Sequence, residues 1–97
     1  MSERAMVCVM VVEIFFPYAK SLKDRRSVLK SFSEKAERKF HILVVDNVSG
    51  DNFKMGSLTL ACLSKKCEEG KRVLRDCLNF LEENYPAQIS RVEEEVF

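Results

Sequence analysis

The side chains whose number and spacing first suggest a chemistry are basic. Residues 17–32, PYAKSLKDRRSVLKSF, carry five cations and one carboxylate. Residues 20–39 contain eight Lys or Arg and three acidic residues, a formal charge of +5, whereas residues 82–97 contain one Arg and five Glu, a formal charge of −4. The first region attracts a phosphate backbone and the second repels it. The predicted phosphate contacts are Lys20, Lys23, Arg25, Arg26 and Lys30.

An alternative interpretation of this cluster needs no ligand. Amphipathic helices commonly carry Lys and Arg on their solvated face, although the density of like charge here exceeds what solubility requires. The net charge of the chain is only +1, so attraction to nucleic acid or to an anionic membrane has to come from such a local patch.

No arrangement of residues predicts catalysis. Asp46, Asp51 and the carboxylates at 93–95 fall in a predicted strand, a turn and an edge strand, and no base is placed to couple to them. We expect a solvated polar surface and predict that the protein is not an enzyme. His41 is the only histidine, and its position at the start of a predicted strand is typical of a solvent-edge residue.

The four cysteines, at positions 8, 62, 67 and 77, have neither the CxxC spacing nor the nearby histidine of a zinc site. We therefore expect no metal and no cofactor. Apolar neighbours favour packed thiols over a redox pair of Cys62 and Cys67. The start MSERAMVCVMVV has no positively charged segment or cleavage site and is too short to span a bilayer, so we expect a cytoplasmic protein with reduced thiols and no membrane association.

The elements that position these residues follow from apolar periodicity. Residues 5–16 are rich in Val, Met and Phe and stop at Pro17, as a buried strand does. Ser21 and Asp24 have the spacing of a capping box and open a helix whose apolar positions recur as far as Phe40.

The second half of the chain repeats this pattern. Residues 40–50 and 54–64 are predicted to be strands two and three, joined by a turn at GDNF. Ser64 is predicted to cap a second helix that carries acidic residues in its first turn and ends before Pro86. Residues 87–97 form a predicted fourth strand at a sheet edge, where a run of carboxylates is tolerated.

This order predicts an α+β, ferredoxin-like βαββαβ fold, a four-stranded antiparallel sheet with both helices on one face. We expect one such domain over residues 1–97. RNA-binding sheets of this kind stack bases on aromatic residues of their central strands, and the predicted outward positions carry none. The loop FPYAKS also lacks the CxxC of a metal-carrying variant.

The helices can cover only one sheet face, predicted to hold Cys8, Met10, Val12, Ile14, Leu58, Leu60 and Cys62. A contiguous apolar surface on the other face usually marks an interface, and we predict a homodimer that buries it. The predicted interface residues are Val7, Val9, Val11, Leu43, Val45, Ala61 and Leu63. The assignment within strand two depends on its parity, because Ile42 and Val44 suit the core equally well.

The run SLKDRRSVLKSF, with EIFFP, FHILVVDNVSGDNF and LACLS, resembles the YlxP-like family of small bacterial proteins of unknown function. The resemblance extends from about Met6 to the C-terminal end. It implies a ferredoxin-like fold and no established enzymatic activity. Family genes often lie beside genes for translation initiation and ribosome maturation factors, which implies a role near the ribosome or its RNA. Val11, Leu43 and Val45 depart from the family, whose members tend to carry polar or small residues there.

Two functions of different classes are consistent with these observations. The first is a non-enzymatic accessory protein that contacts ribosomal RNA or a ribosome-assembly factor through the basic start of helix one. The second is a self-associating structural or small-ligand regulatory module, with GDNFKMGS as a candidate ligand loop and no nucleic-acid role.

Overall fold

The computed structural model describes residues 4–47 and 50–97, in which the strands and helices follow the predicted order. The elements are β1 Met6–Phe15, α1 Leu22–Phe40, β2 Leu43–Asn47, β3 Met55–Ser64, α2 Cys67–Asn84 and β4 Gln88–Val96. All strand pairs are antiparallel, and the strand order across the sheet is β2-β3-β1-β4. This arrangement confirms the predicted ferredoxin-like βαββαβ fold.

The core lies between the helices and one face of the sheet. Alternate residues of the two central strands are fully buried there, as predicted, while Cys62 at the end of the row is half-buried. The helices contribute the apolar stripes that cover this face. The largest fully buried side chains are Phe16, Phe32, Met10, Ile14, Leu29, Leu58, Leu60, Leu74 and Leu81.

The start of α1 has the predicted cap. The Ser21 hydroxyl accepts a hydrogen bond from the Asp24 main-chain N–H over 3.1 Å, and the Asp24 carboxylate accepts one from the Lys20 N–H over 2.9 Å. The helix ends at His41, which adopts the left-handed conformation with φ of 55° and donates its N–H to the Glu37 carbonyl. His41 is exposed, as expected, but it terminates a helix instead of opening a strand.

The predicted cap of α2 is wrong. The residue at the N-cap position is Lys66, which makes no side-chain capping hydrogen bond. The Ser64 hydroxyl instead accepts from the Lys66 N–H over 3.2 Å and donates to the Lys66 carbonyl over 2.7 Å. Because β3 continues to Ser64, this hydroxyl closes the turn between strand and helix. Glu68 and Glu69 lie in the first turn of α2, where negative charge suits the helix dipole.

Strand two is shorter than predicted, because Phe40 belongs to α1 and β2 covers Leu43–Asn47. Residues 48 and 49 of the predicted strand lie outside the described residues. Ile42 is buried in the core, while the side chains of Leu43 and Val45 are exposed. The parity chosen for this strand is therefore confirmed.

A bulge in β4 fixes which residues of that strand face the helices. Glu13 pairs with Arg91, whereas the next residue of β1, Ile14, pairs with Ile89, so Ser90 is the extra residue. The Ser90 hydroxyl donates to the Glu13 carbonyl over 3.2 Å. The bulge brings Ile89 to the core side of the sheet.

Candidate functional site

Arg25, one of the predicted phosphate contacts, is buried and leaves only 6% of its surface exposed. Its Nη1 atom donates to the main-chain oxygens of Asn52, over 2.8 Å, and Met55, over 3.0 Å. Position 25 lies on the same side of α1 as Leu29 and Phe32, four and seven residues further along, so it faces the core. The prediction for Arg25 is therefore corrected, since its guanidinium holds a loop and does not face a ligand.

Three of the other predicted contacts form a continuous surface on α1, with the fourth beside them. Lys23, Arg26 and Lys30 are exposed and separated by three and four residues, so they are neighbours on one side of the helix. The 1.5 Å rise per residue places Lys23 and Lys30 about 10 Å apart along the helix axis. Lys20 is exposed just before the cap. We call Lys20, Lys23, Arg26 and Lys30 the basic ridge.

Two of the three carboxylates in residues 20–39 accept main-chain hydrogen bonds, and the third, Glu34, is exposed four residues after Lys30. Asp24 accepts the Lys20 main-chain N–H, and a Glu37 carboxylate oxygen accepts the Val44 N–H over 3.0 Å. Between described residues, salt bridges join Lys71 and Arg75 to Glu94 and join Arg91 to Glu93, so none includes a residue of the basic ridge. The positive end of the α1 dipole adds to the field of these cations. The ridge therefore attracts anions from solution.

The remaining cations of the +5 region have a different environment. The Lys35 ammonium lies 5.9 Å from the centroid of the Tyr85 ring, and the Lys39 ammonium lies 5.4 Å from that of Phe80. These cation–π contacts fix the two lysines over the aromatic cluster between α1 and α2. The structure thus divides the basic region into the open ridge, the buried Arg25, and two lysines beside the aromatic cluster. The eighth cation, Arg38, is exposed and donates from Nε to the Glu34 carbonyl over 3.4 Å.

The candidate ligand loop, residues 50–57, is tied to the rest of the chain. Besides the two bonds from Arg25, the Lys54 ammonium donates to the Pro17 carbonyl over 2.7 Å, and the Lys54 carbonyl accepts the Phe16 N–H over 2.8 Å. These bonds give the loop a structural role, since they anchor it to α1 and to the end of β1.

All four cysteines are free thiols. Burial, reinforced by the charge and hydrogen bonding of Cys8 on the facing strand, raises the pKa of Cys62. Burial alone raises the pKa of Cys77 to about 12. Thiols of this kind stay protonated at neutral pH and are poor nucleophiles. Within residues 4–47 and 50–97 no cluster of His, Cys, Asp or Glu has the geometry of a metal site, and no helix is long and apolar enough to cross a membrane.

The predicted interface residues share the sheet face that the helices leave uncovered. Strand pairing aligns Leu43 with Ala61 and Val9 in one row, and Leu63 with Val7 in the next. Leu63 is 72% exposed and Leu43 is 69% exposed. We call this surface the open face; it consists of Val7, Val9, Val11, Leu43, Val45, Ala61 and Leu63, with Phe97 added by the structure.

An apolar cavity of about 480 Å³ lies beside the first residue of β2, where the antiparallel strand β3 continues past the end of the pairing to Ser64. The first residue of β2, Leu43, pairs with Ala61, so the row of Leu63 has no β2 residue beside it. We call this gap the notch. Its lining residues are Val7, Glu37, His41, Ile42, Leu43, Ala61, Cys62 and Leu63.

Sequence reasoning missed the role of Phe97. Its main chain exchanges two hydrogen bonds of 2.9 Å with Val7, so it extends the row of Leu63 and Val7 across β4. Phe97 is 71% exposed, and its pairing with Val7 places it on the open face. Glu93 and Glu95 lie on the same face beside Val11 and Val9. The alternation of β4 indicates these positions only when its register with β1 is known.

The βαββαβ order and antiparallel sheet place the chain in the ferredoxin-like fold class. The chain belongs to the family described as Protein of unknown function (DUF503), whose family model matches residues 7–94. A search of curated proteins gives no match.

Several solved structures are similar to this chain. A de novo designed protein with a ferredoxin fold, solved by solution NMR, has a TM-score of 0.58 at 16% identity, over 94% of this chain and 83% of that one. The alpha subunit of aIF2 from Pyrococcus abyssi has a TM-score of 0.54 at 14% identity, over 93% of this chain and 35% of that one. A hydantoinase/carbamoylase family amidase from Burkholderia ambifaria has a TM-score of 0.53 at 12% identity, over 94% and 28%. At these identities the likeness shows the fold alone.

Proposed function

We propose that the protein is a non-enzymatic accessory protein of the cytoplasm that binds structured RNA, of the ribosome or of a ribosome-assembly intermediate, through the basic ridge. The observation that carries this proposal is the grouping of Lys23, Arg26 and Lys30 on one exposed side of α1, with Lys20 beside them. Their chemistry suits the sugar–phosphate backbone, which Lys and Arg contact without reading base sequence.

The resemblance to the YlxP-like family supports this proposal, because it implies a role near the ribosome. Among the residues that β1 and β3 place on the side of the open face, the one aromatic residue is Phe15, half-buried at the end of β1, and none is a cation. The ridge and the open face lie on opposite sides of the sheet. The ridge therefore supplies the RNA contact in this proposal, and the sheet does not.

The test is the binding of purified small-subunit ribosomal RNA, measured by filter binding over a series of KCl concentrations. In the ridge variant, Lys23→Glu, Arg26→Glu and Lys30→Glu are combined. Each phosphate contact contributes about 0.7 to 0.9 to the slope of log K against log salt, so the slope is expected to flatten by about 2 to 3 and the affinity at low salt to fall on the order of 100-fold.

The matched control combines Lys65→Glu, Lys66→Glu and Arg72→Glu. These residues are also exposed, and the change in net charge is the same, but they lie around the start of α2. The control is expected to keep the salt slope of the wild type. An equal loss in both variants indicates that only net charge matters, and unchanged binding of the ridge variant removes the proposal.

The open face favours the second candidate function, a self-associating module. An exposed apolar surface of this size is uncommon on a soluble monomer. In its full form this second function has no nucleic-acid role, but self-association through the open face alone is compatible with RNA binding by the ridge, since the two surfaces do not overlap.

A further inference from the structure

We infer that the open face is the interface of a homodimer in which the Phe97 ring of each protomer fills the notch of its partner. The inference is independent of RNA binding, because it uses no residue of the basic ridge. The predicted apolar interface named no occupant for the notch and no symmetry axis. The structure suggests the Phe97 ring as the occupant and a twofold axis parallel to the strands.

The area of the open face suits a pair of copies. Five large side chains are exposed there, namely Val7, Leu43, Val45, Leu63 and Phe97, at 36, 69, 59, 72 and 71%. With their half-buried neighbours they expose on the order of 600 Å², which reaches the upper limit for the largest apolar patch of a typical monomer. Two such surfaces remove on the order of 1,200 Å² from water, which is the lower end of the range for specific interfaces.

The register of the strands determines how two copies fit. Stacked sheets lie about 10 Å apart, and a twofold axis between them, parallel to the strands, reverses their order. The order β2-β3-β1-β4 then places β4 of one protomer over β2 of its partner. In the row of Leu63 and Val7, Phe97 lies beside Val7 just after the end of β4, whereas no residue of β2 lies beside Leu63. The exposed ring of one protomer therefore meets the notch of the other, and symmetry forms this contact twice.

The charges on the open face select this axis over the other one. A twofold axis perpendicular to the strands stacks β4 on β4 and brings the acidic runs of both protomers together at short range, where the Arg91 salt bridge offsets the charge of Glu93 but not that of Glu95. The axis parallel to the strands separates the two β4 strands, so that Glu95 and Glu93 of one protomer lie over Leu43 and Val45 of its partner, at the two sides of the interface. The apolar residues of β1 and β3 then meet at its centre.

The test is the self-association of the full chain, measured by sedimentation equilibrium over a range of micromolar concentrations. The wild type is expected to be a dimer. Phe97→Ala is expected to weaken the dimer about 30-fold, which is the effect of losing a buried aromatic anchor. Tyr18→Ala is the matched control, because Tyr18 is also an exposed aromatic residue, at 78%, but it lies in the loop after β1. This variant is expected to associate like the wild type.

A second variant tests the interface by a change on the open face itself. Leu63→Lys places a charge on the open face beside Val7, at the border of the notch, and is expected to give a monomer whose circular dichroism matches that of the wild type. A wild type that remains monomeric at high micromolar concentration overturns the inference. A dimer that tolerates Leu63→Lys overturns it too, since a different surface must then be used. A dimer that Leu63→Lys dissociates but Phe97→Ala leaves unchanged overturns the proposed notch contact.

Other occupants of the open face give a distinct result. A wild type that stays monomeric but binds a synthetic amphipathic peptide of Leu and Lys assigns the face to a foreign basic segment, since the bordering carboxylates suit such a partner. The ridge variant is expected to remain dimeric. Filter binding therefore reports a failure of RNA binding, and sedimentation equilibrium reports a failure of dimerisation, each independently of the other.

Discussion

Arg25 and Asn52 are 27 residues apart in the chain, yet the Arg25 guanidinium donates to the Asn52 carbonyl over 2.8 Å. A second bond from the same nitrogen reaches Met55, so one side chain of α1 holds both ends of the segment that leads into β3. This relationship explains why the most buried cation of the basic region belongs to the fold and not to its surface.

Arg25→Met tests this role, because the substitution keeps the aliphatic stem and removes the guanidinium. Two hydrogen bonds from a charged donor are lost, and the free energy of unfolding is expected to fall by about 2 to 4 kcal/mol. The measurement is urea denaturation monitored by circular dichroism. Arg26→Met is the control, since Arg26 is exposed and its loss is expected to cost no more than about 0.5 kcal/mol. Equal stability of the two variants contradicts the assignment.

At Gly70, the backbone of α2 lies close to Cys8 of β1. A Cβ atom there collides with the Cys8 sulfur and lies 3.2 Å from the Ser64 Cβ. Gly70→Ala is expected to destabilise the protein by about 1 to 3 kcal/mol, and the double variant with Cys8→Ala is expected to recover part of that loss. At Gly50 the space around a Cβ is open and only the φ of 72° is unfavourable, so Gly50→Ala is expected to cost about 1 kcal/mol. Additive effects of Gly70→Ala and Cys8→Ala in chemical denaturation contradict the proposed collision.

The missing cap of α2 gives a stabilising variant. Lys66 occupies the N-cap position without a capping side chain, so its replacement adds a bond where none exists. Lys66→Asp is expected to raise the free energy of unfolding by about 0.5 to 1 kcal/mol, because the carboxylate accepts a first-turn N–H and interacts with the helix dipole. Ser21→Ala, which removes the existing cap of α1, is expected to cost about 1 kcal/mol. In thermal denaturation, the melting temperature of Lys66→Asp is expected to lie above that of the wild type and the melting temperature of Ser21→Ala below it.

Alkylation distinguishes the four thiols. At about pH 8 iodoacetamide is expected to modify half-exposed Cys67 first and Cys62 more slowly, because burial raises the pKa of Cys62. Buried Cys8 and Cys77 are expected to react only in denaturant. Mass spectrometry of timed samples reads out this order. Early labelling of Cys77 in the folded protein contradicts the described packing.

Burial of Cys77 also predicts how stability depends on pH. Its pKa rises from the ordinary value of 9.0 to about 12 on folding, so between these values the folded protein binds a proton that the unfolded chain has released. The contribution is fully present below pH 9.0 and is lost as the pH rises toward 12, by up to about 1.4 kcal/mol per pH unit. Cys77→Ala removes this term, so its stability is expected to fall less between about pH 8 and pH 10 than that of the wild type.

The element order and the buried side of the sheet were predictable, because strand alternation and helix periodicity depend on local sequence. Leu58 and Leu60 face the core, and Leu43 and Leu63 face outward, as their parity indicates. Strand alternation and helix periodicity both indicate the same buried face, and such agreement allows a fold to be predicted from one sequence.

The misplaced cap of α2 is a local error, whereas Arg25 and Phe97 were misjudged because long-range contacts decide their positions. Arg25 stands among exposed cations in the sequence, and only its spacing from Leu29 and Phe32 indicates an inward position. The place of Phe97 on the open face follows from the pairing of β4 with β1, which includes a bulge at Ser90. Neither the partner of a buried polar group nor a strand register across a bulge is encoded locally.

The acidic run of β4 has a consequence for the outer edge of the sheet. Glu94 lies near Lys71 and Arg75 of α2, while its neighbours Glu93 and Glu95 project from the opposite side of the strand. A foreign strand that added itself to this edge would therefore meet carboxylates above and below the new hydrogen bonds. Identical chains stacked there would repeat the same charges at a spacing of about 4.8 Å. Fibre growth by strand addition is thus opposed along the longer of the two free edges.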